Sequence, residues 1–324
     1  MRDVFLAAGA HRAGDEEDVP EDANRLRRMD RFGRAGYLAG TRAFAAAGLV
    51  REARPHPRCG VVVGTRHGCR SAITGHAARL EAATRVEDLA PSIFAATVHN
   101  TVNGELAIGL GLGGVSETVV SGRTAGLEAL ILGARRVAAG DADRILVVAA
   151  EGIDDAMRDA WEEEKSAFGE RAAGVELVET GAAVLLEAEG ISSKDRFPVR
   201  YVSGTLFFEP DARRASARFF EWVKGVEARA GGGAGPPAVT LCTPVYEDFL
   251  EGNKEEEERK GGSAPRVERF GAAGLFEIAC ELAARSAQTA DALPPHSPSQ
   301  KIRAYVSRDI TGAVAAVALE SSSS

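Results

Sequence analysis

The sequence is poor in the residues that staple or anchor a chain. Its four cysteines (Cys59, Cys69, Cys242, Cys280) form no C-x-x-C pair, so neither a zinc site nor a disulfide framework is expected, and a reducing cytoplasm is the default compartment. Long uncharged apolar runs are missing although 45% of the 324 residues are hydrophobic, which predicts no membrane span. The opening MRDVFLAAGA is too short and too early for a secretory signal, with Asp3 where basic residues belong; it reads instead as a first strand over residues 3–8. Positive charge is in deficit, with 39 Lys and Arg against 47 Asp and Glu for a net charge of −8. That balance argues against nucleic acid as the main partner, while a local basic patch could still dock an acidic protein. The six histidines, His11, His56, His67, His76, His99 and His296, include no H-x-x-x-H. No metal or other cofactor is therefore expected.

What the sequence does have is an organised centre over residues 116–152. Residues 118–121 read as a strand, 124–139 as a helix and 145–150 as a second strand. A small-residue elbow, Gly122-Arg123-Thr124-Ala125-Gly126, joins the first strand to the helix. At a strand–elbow–helix turn the free N–H groups and the helix dipole favour an anion and can activate a thiol or hydroxyl. Here that place is held by Arg123.

The run VVSGRTAGLEALILGARRVAAGDADRILVVAAEG resembles the nucleophile region of the beta-ketoacyl synthases, in which a Cys opens the helix, Gly-Leu follows and G-D-A-D closes before a strand ending in A-E. Counting back from Gly126 places Arg123 on that Cys. A permanently protonated guanidinium cannot attack a thioester carbonyl, so the resemblance argues for the family and against its chemistry at this position. Met29-Asp30-Arg31-Phe32 resembles the M-D-R-F opening helix of the family. The helix it opens, residues 29–49, carries Phe32, Leu38, Phe44 and Leu49 near helical spacing. The apolar strand over residues 59–64 resembles the family's G-x-x-x-G-T strand.

Residues 91–113 read as a Pro-led entry, a turn at 100–103 and a short helix. The resemblance implies that this segment lines an acyl tunnel against a two-fold partner, with Phe94, Val98 and Thr101 at tunnel positions. For these three, tunnel lining and core filling remain open alternatives, whereas Ile108 and Leu110 are expected in the core. The resemblance also implies that Thr118, Val119, Val120 and Ser121 pair with a partner subunit.

Further on, residues 154–178 read as a charged helical stretch anchored by Trp161 and Phe168, and 181–189 as a strand. A second round follows: strand 199–208, helix 212–230, a flexible glycine-rich connection at 231–237, strand 239–242, a solvated charge run at 253–260, helix 270–284, and strands 301–307 and 313–319. Two rounds of strands and helices predict an α/β fold. With the resemblance this becomes a duplicated thiolase-like fold, two sheets layered α-β-α-β-α, with a shortened second half. The halves, residues 1–190 and 191–324, are expected to form one compact unit.

Ketosynthases use two histidines with the Cys. G-A-A-G is present at Gly271–Gly274, and counting back from it puts Glu268 on one histidine. The other falls near Thr243, in Leu241-Cys242-Thr243-Pro244, where no histidine occurs. All three catalytic positions thus read as degenerate (Arg123, Glu268, Thr243), and Arg123 is expected to pair with Glu268, with Glu179 and Glu117 as alternative acceptors. The implied role is that of a chain-length factor, a non-catalytic subunit that pairs with an active ketosynthase as a heterodimer served by an acyl carrier protein. It helps set the length of a polyketide or polyene acyl chain. Two alternatives stay open. One is an acyltransferase or hydrolase using a displaced nucleophile, Cys69 or Ser121, with a buried inert thiol as the competing reading of Cys69. The other is a homodimeric acyl-carrier or lipid-binding protein. Among the histidines, His99, beside the tunnel turn, is the one to test.

Overall fold

The computed structural model describes residues 2–13, 23–51, 55–85, 94–172, 174–191, 199–229, 238–241, 267–268, 270–287, 302–308, 311 and 313–321. The strands of their main sheet are β1 Val4–Ala13, β2 Cys59–Thr65, β3 Ser116–Val120, β4 Arg144–Glu151, β5 Thr180–Ala188, β6 Val199–Phe208, β7 Ala238–Leu241, β8 Ile302–Arg308 and β9 Ala313–Ser321. The main helices are α1 Arg31–Ala46, α2 Arg70–Ala82, α3 Thr101–Leu110, α4 Ala125–Ala139, α5 Asp155–Phe168, α6 Ala212–Arg229 and α7 Ala273–Ala287. The first strand runs well past the expected 3–8, and the charged stretch expected to be helical over 154–178 leaves the α-helix at Phe168. Thr243, the glycine-rich connection and the charge run at 253–260 lie outside the described residues.

The strands hydrogen-bond in the order β3-β2-β4-β5-β1-β6-β9-β8-β7. The two expected sheets are therefore one continuous ladder, but the join is thin: β1 meets β6 only at Phe5↔Arg200 and Leu6↔Val199. Strands β2, β3 and β4 run parallel, and β4–β5 and β5–β1 run antiparallel. Every residue of β2 and of β5 is buried, as expected where helices cover both faces of a sheet.

The alternation of side chains along the strands sorts the core into layers. Val61, Val63, Leu146, Val148 and Leu185 face α1 and α3 through Phe32, Leu38, Phe44, Val102 and Leu106. The other faces of the same strands, with Val62, Val147 and Val184, pack on α4 and α7, which also touch Tyr305, Ala315, Val317 and Leu319 of the last strands. Phe207, Val306 and Val314 look away from that middle layer and bury Phe219 and Val223 of α6. The result is the α-β-α-β-α order, with α4 and α7 as its central slab.

Local chemistry fixes the ends of the elements that reach this slab. Asp30 caps α1 by accepting from the Gly33 amide at 2.7 Å. Gly140 ends α4 with a left-handed φ of +91°, donating to Arg136 and Val137 carbonyls. Leu110 is buried as expected; Ile108, also expected in the core, is 62% exposed because it lies on the face of α3 turned away from β2.

Candidate functional site

The elbow after β3 carries its arginine into the interior. The Ser121 amide continues the β2–β3 ladder by donating to the Thr65 carbonyl at 3.1 Å, and α4 begins three residues after Gly122. Ser121 Oγ donates to Glu128 Oε1 at 3.0 Å, and the Thr124 hydroxyl donates to the same carboxylate. Arg123, just ahead of α4, is fully buried. A cation there is opposed both by desolvation and by the positive end of the helix dipole. Two features offset this. Glu164 of α5 meets Arg123 Nη1 at 2.9 Å, and the guanidinium lies 5.8 Å from the ring centres of Trp161 and Phe168. From β8, Ser307 Oγ donates to the Arg123 carbonyl at 2.8 Å.

The two alternative acceptors are engaged elsewhere. Glu179 pairs with Arg31 at 3.4 Å, and Glu117 pairs with Arg136 on the edge strand. Glu268 lies in a short parallel pairing with Leu177, and its side chain lies outside the described residues. Glu164 lies in the stretch read as charged and helical, and Trp161, Glu164 and Phe168 stand at i, i+3 and i+7 on α5. That spacing puts two rings and a carboxylate on one helix face, the signal by which it could have been found. Helix α5 is capped by Asp154, whose carboxylate accepts from the Met157 amide at 2.8 Å and from Ser71 Oγ at 2.8 Å. Trp161 and Phe168, expected as packing anchors, belong to a small core of their own with Ile153, Met157, Val175 and Leu177.

A second buried carboxylate sits beside the elbow. Glu151 ends β4 with no exposure and accepts from Thr65 Oγ1 at 3.2 Å, the His67 amide at 3.2 Å and the Arg66 amide. His67 Nδ1 is 3.4 Å from the same carboxylate. The Gly271–Gly274 turn closes over this group: a Cβ on Gly271 would stand 2.8 Å from Glu151 Oε1, and one on Gly126 would stand 2.7 Å from the Gly271 carbonyl. Arg66 reaches back to Glu164 at 3.7 Å, so the two carboxylates and two arginines share one cluster at the ends of β2 and β4.

The remaining candidates lie on the outer side of β2. Cys69 is fully buried at the start of α2, with Sγ 3.1 Å from His99 Nδ1. Thirty residues separate this pair, which is why no motif marked it. Burial, and then the nearby Asp30 carboxylate, pushes the thiol up to about 11. On the order of one thiol in ten thousand is then ionised at neutral pH, a poor basis for nucleophilic attack. Phe94 is 63% and Val98 40% exposed, and Thr101 is intermediate. Strand β3 forms the sheet edge with Val120 47% exposed, while Thr118 Oγ1 donates to Asn103 Oδ1 at 2.7 Å and Val119 packs partly against the central core. Among the described residues no helix is long and apolar enough to cross a membrane.

Comparisons with known proteins agree with this architecture. The 3-oxoacyl-[acyl-carrier-protein] synthases 2 of Vibrio cholerae serotype O1 and Vibrio harveyi are 34% and 33% identical over 126 residues, 39% of this chain. The matched part spans 30% of each relative's length. Among solved structures, the ishigamide ketosynthase/chain length factor superposes with a TM-score of 0.75 at 23% identity, over 95% of this chain and 86% of that one. AntDE:AntF, a type II PKS acyl-carrier protein in complex with its ketosynthase bound to the hexaketide, gives 0.79 at 17% identity over 99% of both chains. A beta-ketoacyl synthase from Burkholderia phymatum STM815 gives 0.73 at 14% identity over 100% of both. Such structural likeness shows the thiolase-like fold. The family model described as beta-ketoacyl synthase, N-terminal domain, matches residues 15–190, more than half of the chain, which therefore belongs to the beta-ketoacyl synthase family.

Proposed function

We propose that this chain is a non-catalytic subunit of the chain-length-factor kind, pairing with an active beta-ketoacyl synthase and helping to set the length of a polyketide or polyene acyl chain. The observation that carries this reading is the buried pairing of Arg123 with Glu164 between Trp161 and Phe168. On the count from Gly126, Arg123 takes the nucleophile's place. A guanidinium there supplies no lone pair for attack. Gly271 and Gly274 pack closely on the start of α4, which fits a ketosynthase-like scaffold around Arg123.

On this reading the partner ketosynthase supplies the catalytic set, and an acyl carrier protein delivers substrate to the complex in the cytoplasm. The edge strand β3 supports a paired assembly, because an open row of N–H and C=O groups at a sheet edge favours a further strand. The two halves, 1–190 and 191–324, would act as one unit through α4 and α7. The inert setting of Cys69 weighs against the displaced-nucleophile alternative.

Co-expression tests the reading. The chain should purify poorly alone and as a one-to-one complex with a ketosynthase. A folded monomer at micromolar concentration, or a stable homodimer that ignores ketosynthases, would count against it. A covalent adduct on this chain alone after single-turnover acyl-thioester labelling would favour the enzymatic alternative.

A further inference from the structure

Residues 94–101 form a knuckle that holds its own shape. Thr97 Oγ1 donates to the Phe94 carbonyl at 2.8 Å, and Thr101 Oγ1 reaches the Ala95 and Val98 carbonyls at 3.1 and 2.7 Å. The Thr97 and Thr101 amides bond to the Phe94 and Val98 carbonyls at 2.9 and 3.1 Å. Its inner end runs into α3, where Val102 and Asn103 are buried, but little apolar burial fastens its outer part, since Phe94 and Val98 are both exposed. A rigid piece with weak attachment moves as a body when its few ties are cut.

Two ties of the outer part run to α2 and the cysteine that caps it. The Phe94 ring meets His76 edge-on with centroids 6.2 Å apart, in a contact close to solvent. The deeper tie is His99 Nδ1 to the fully buried Cys69 Sγ at 3.1 Å. Room for the imidazole exists because residue 68 is glycine with φ +57°: a Cβ there would stand 2.8 Å from His99 Nδ1. The post that carries Cys69 is itself fixed, with the Gly68 amide donating to Thr65 Oγ1 at 2.8 Å and Thr65 tied to Glu151.

We propose that the Cys69–His99 contact is the latch that positions the 94–101 knuckle, making both residues positioning residues for the acyl-chain limit at Phe94 and Val98. This rests on the chain-length reading above. The contact joins a thiol to an imidazole nitrogen, and the ring tautomer sets which of the two donates. Neither residue needs to touch substrate.

The test uses the full chain with its ketosynthase. Cys69→Ala and His99→Ala should each broaden the product-length distribution, the double variant should add nothing beyond either single change, and Cys69→Ser, which keeps a donor, should restore the native distribution. In parallel, hydrogen exchange at the amides of residues 97–104 should quicken by about threefold or more in Cys69→Ala, with α4 amides unchanged. If Phe94→Ala shifts product length while Cys69→Ala and His99→Ala do not, the latch is overturned and the chain-length reading stands. If Phe94→Ala also has no effect, Phe94 does not bound the acyl chain and the proposed limit at this knuckle falls, while exchange decides the latch by itself: unchanged rates over 97–104 overturn it.

Discussion

Arg123 Nη1 and Glu164 Oε1 stand 2.9 Å apart, the arginine with no exposed surface and the glutamate 19% exposed. Removing one partner of a wholly buried pair costs about 3 to 5 kcal/mol. Glu164 keeps some water and Arg66, so Arg123→Met should cost less, about 2 to 3 kcal/mol. Urea unfolding of Arg123→Met, Glu164→Gln and the double variant gives the coupling. Additive losses would show that Glu164 does not hold the guanidinium. Arg123→Cys should be destabilised alike and restore no condensation in a radiolabelled malonyl assay.

Glycine-to-alanine changes should act with opposite signs at two sites. A Cβ on Gly181 in β5 would stand 2.1 Å from the Ala35 carbonyl of α1, a backbone atom that cannot swing aside, whereas Gly75 in the exposed helix α2 has nothing within 4 Å. Gly181→Ala should therefore separate α1 from the sheet and leave little soluble protein. Gly75→Ala should raise stability by about 0.5 to 1 kcal/mol through helix propensity. Thermal melts of both variants check the pair.

Much of the fold was legible because its signals are local. The buried run of β2, the α4 helix stopped by Gly140 and the alternating strands of the second half all declare themselves within a few residues. The candidate site was legible only as far as the elbow. Arg123 was visible as an anomaly there, but its counter-charge comes from a helix that follows β4, and Glu164 sits among acidic neighbours that do face water. The expected acceptors Glu179 and Glu117 are occupied by Arg31 and Arg136, a competition that only packing decides. The same holds for Cys69 and His99, joined by the return of α3 over β2 and not by any motif.

Acid stability should depend on Asp143. Hydrogen bonds from Arg58 and then Arg2 lower its carboxyl to about 2, with the two guanidinium contacts at 2.8 and 2.9 Å. Because the folded value lies below the unfolded one, the stabilisation is present above about pH 4 and is lost as pH falls toward 2. Asp143→Asn should therefore flatten the pH dependence of the urea midpoint between about pH 4 and pH 2, while wild type loses stability through that window. Equal slopes in the two proteins would remove Asp143 from the acid response.

The last expectation concerns chain length. Phe94 and Val98 project from a knuckle that buries neither, as suits residues whose apolar surface is completed by another subunit. If that surface bounds the partner's acyl tunnel, Phe94→Ala opens space and should lengthen the products, whereas Val98→Phe narrows the slot and should shorten them. Overfilling an apolar slot costs about 1 to 3 kcal/mol, which is roughly a five- to 150-fold change in the partition between another extension and release. Such a shift is large enough to read by mass spectrometry of products from the co-expressed complex. Both variants should still assemble, since the edge strand β3 is untouched, and assembly by gel filtration is the control. An intact complex with unchanged product length in both variants would place the tunnel wall elsewhere and leave Phe94 and Val98 as assembly contacts only.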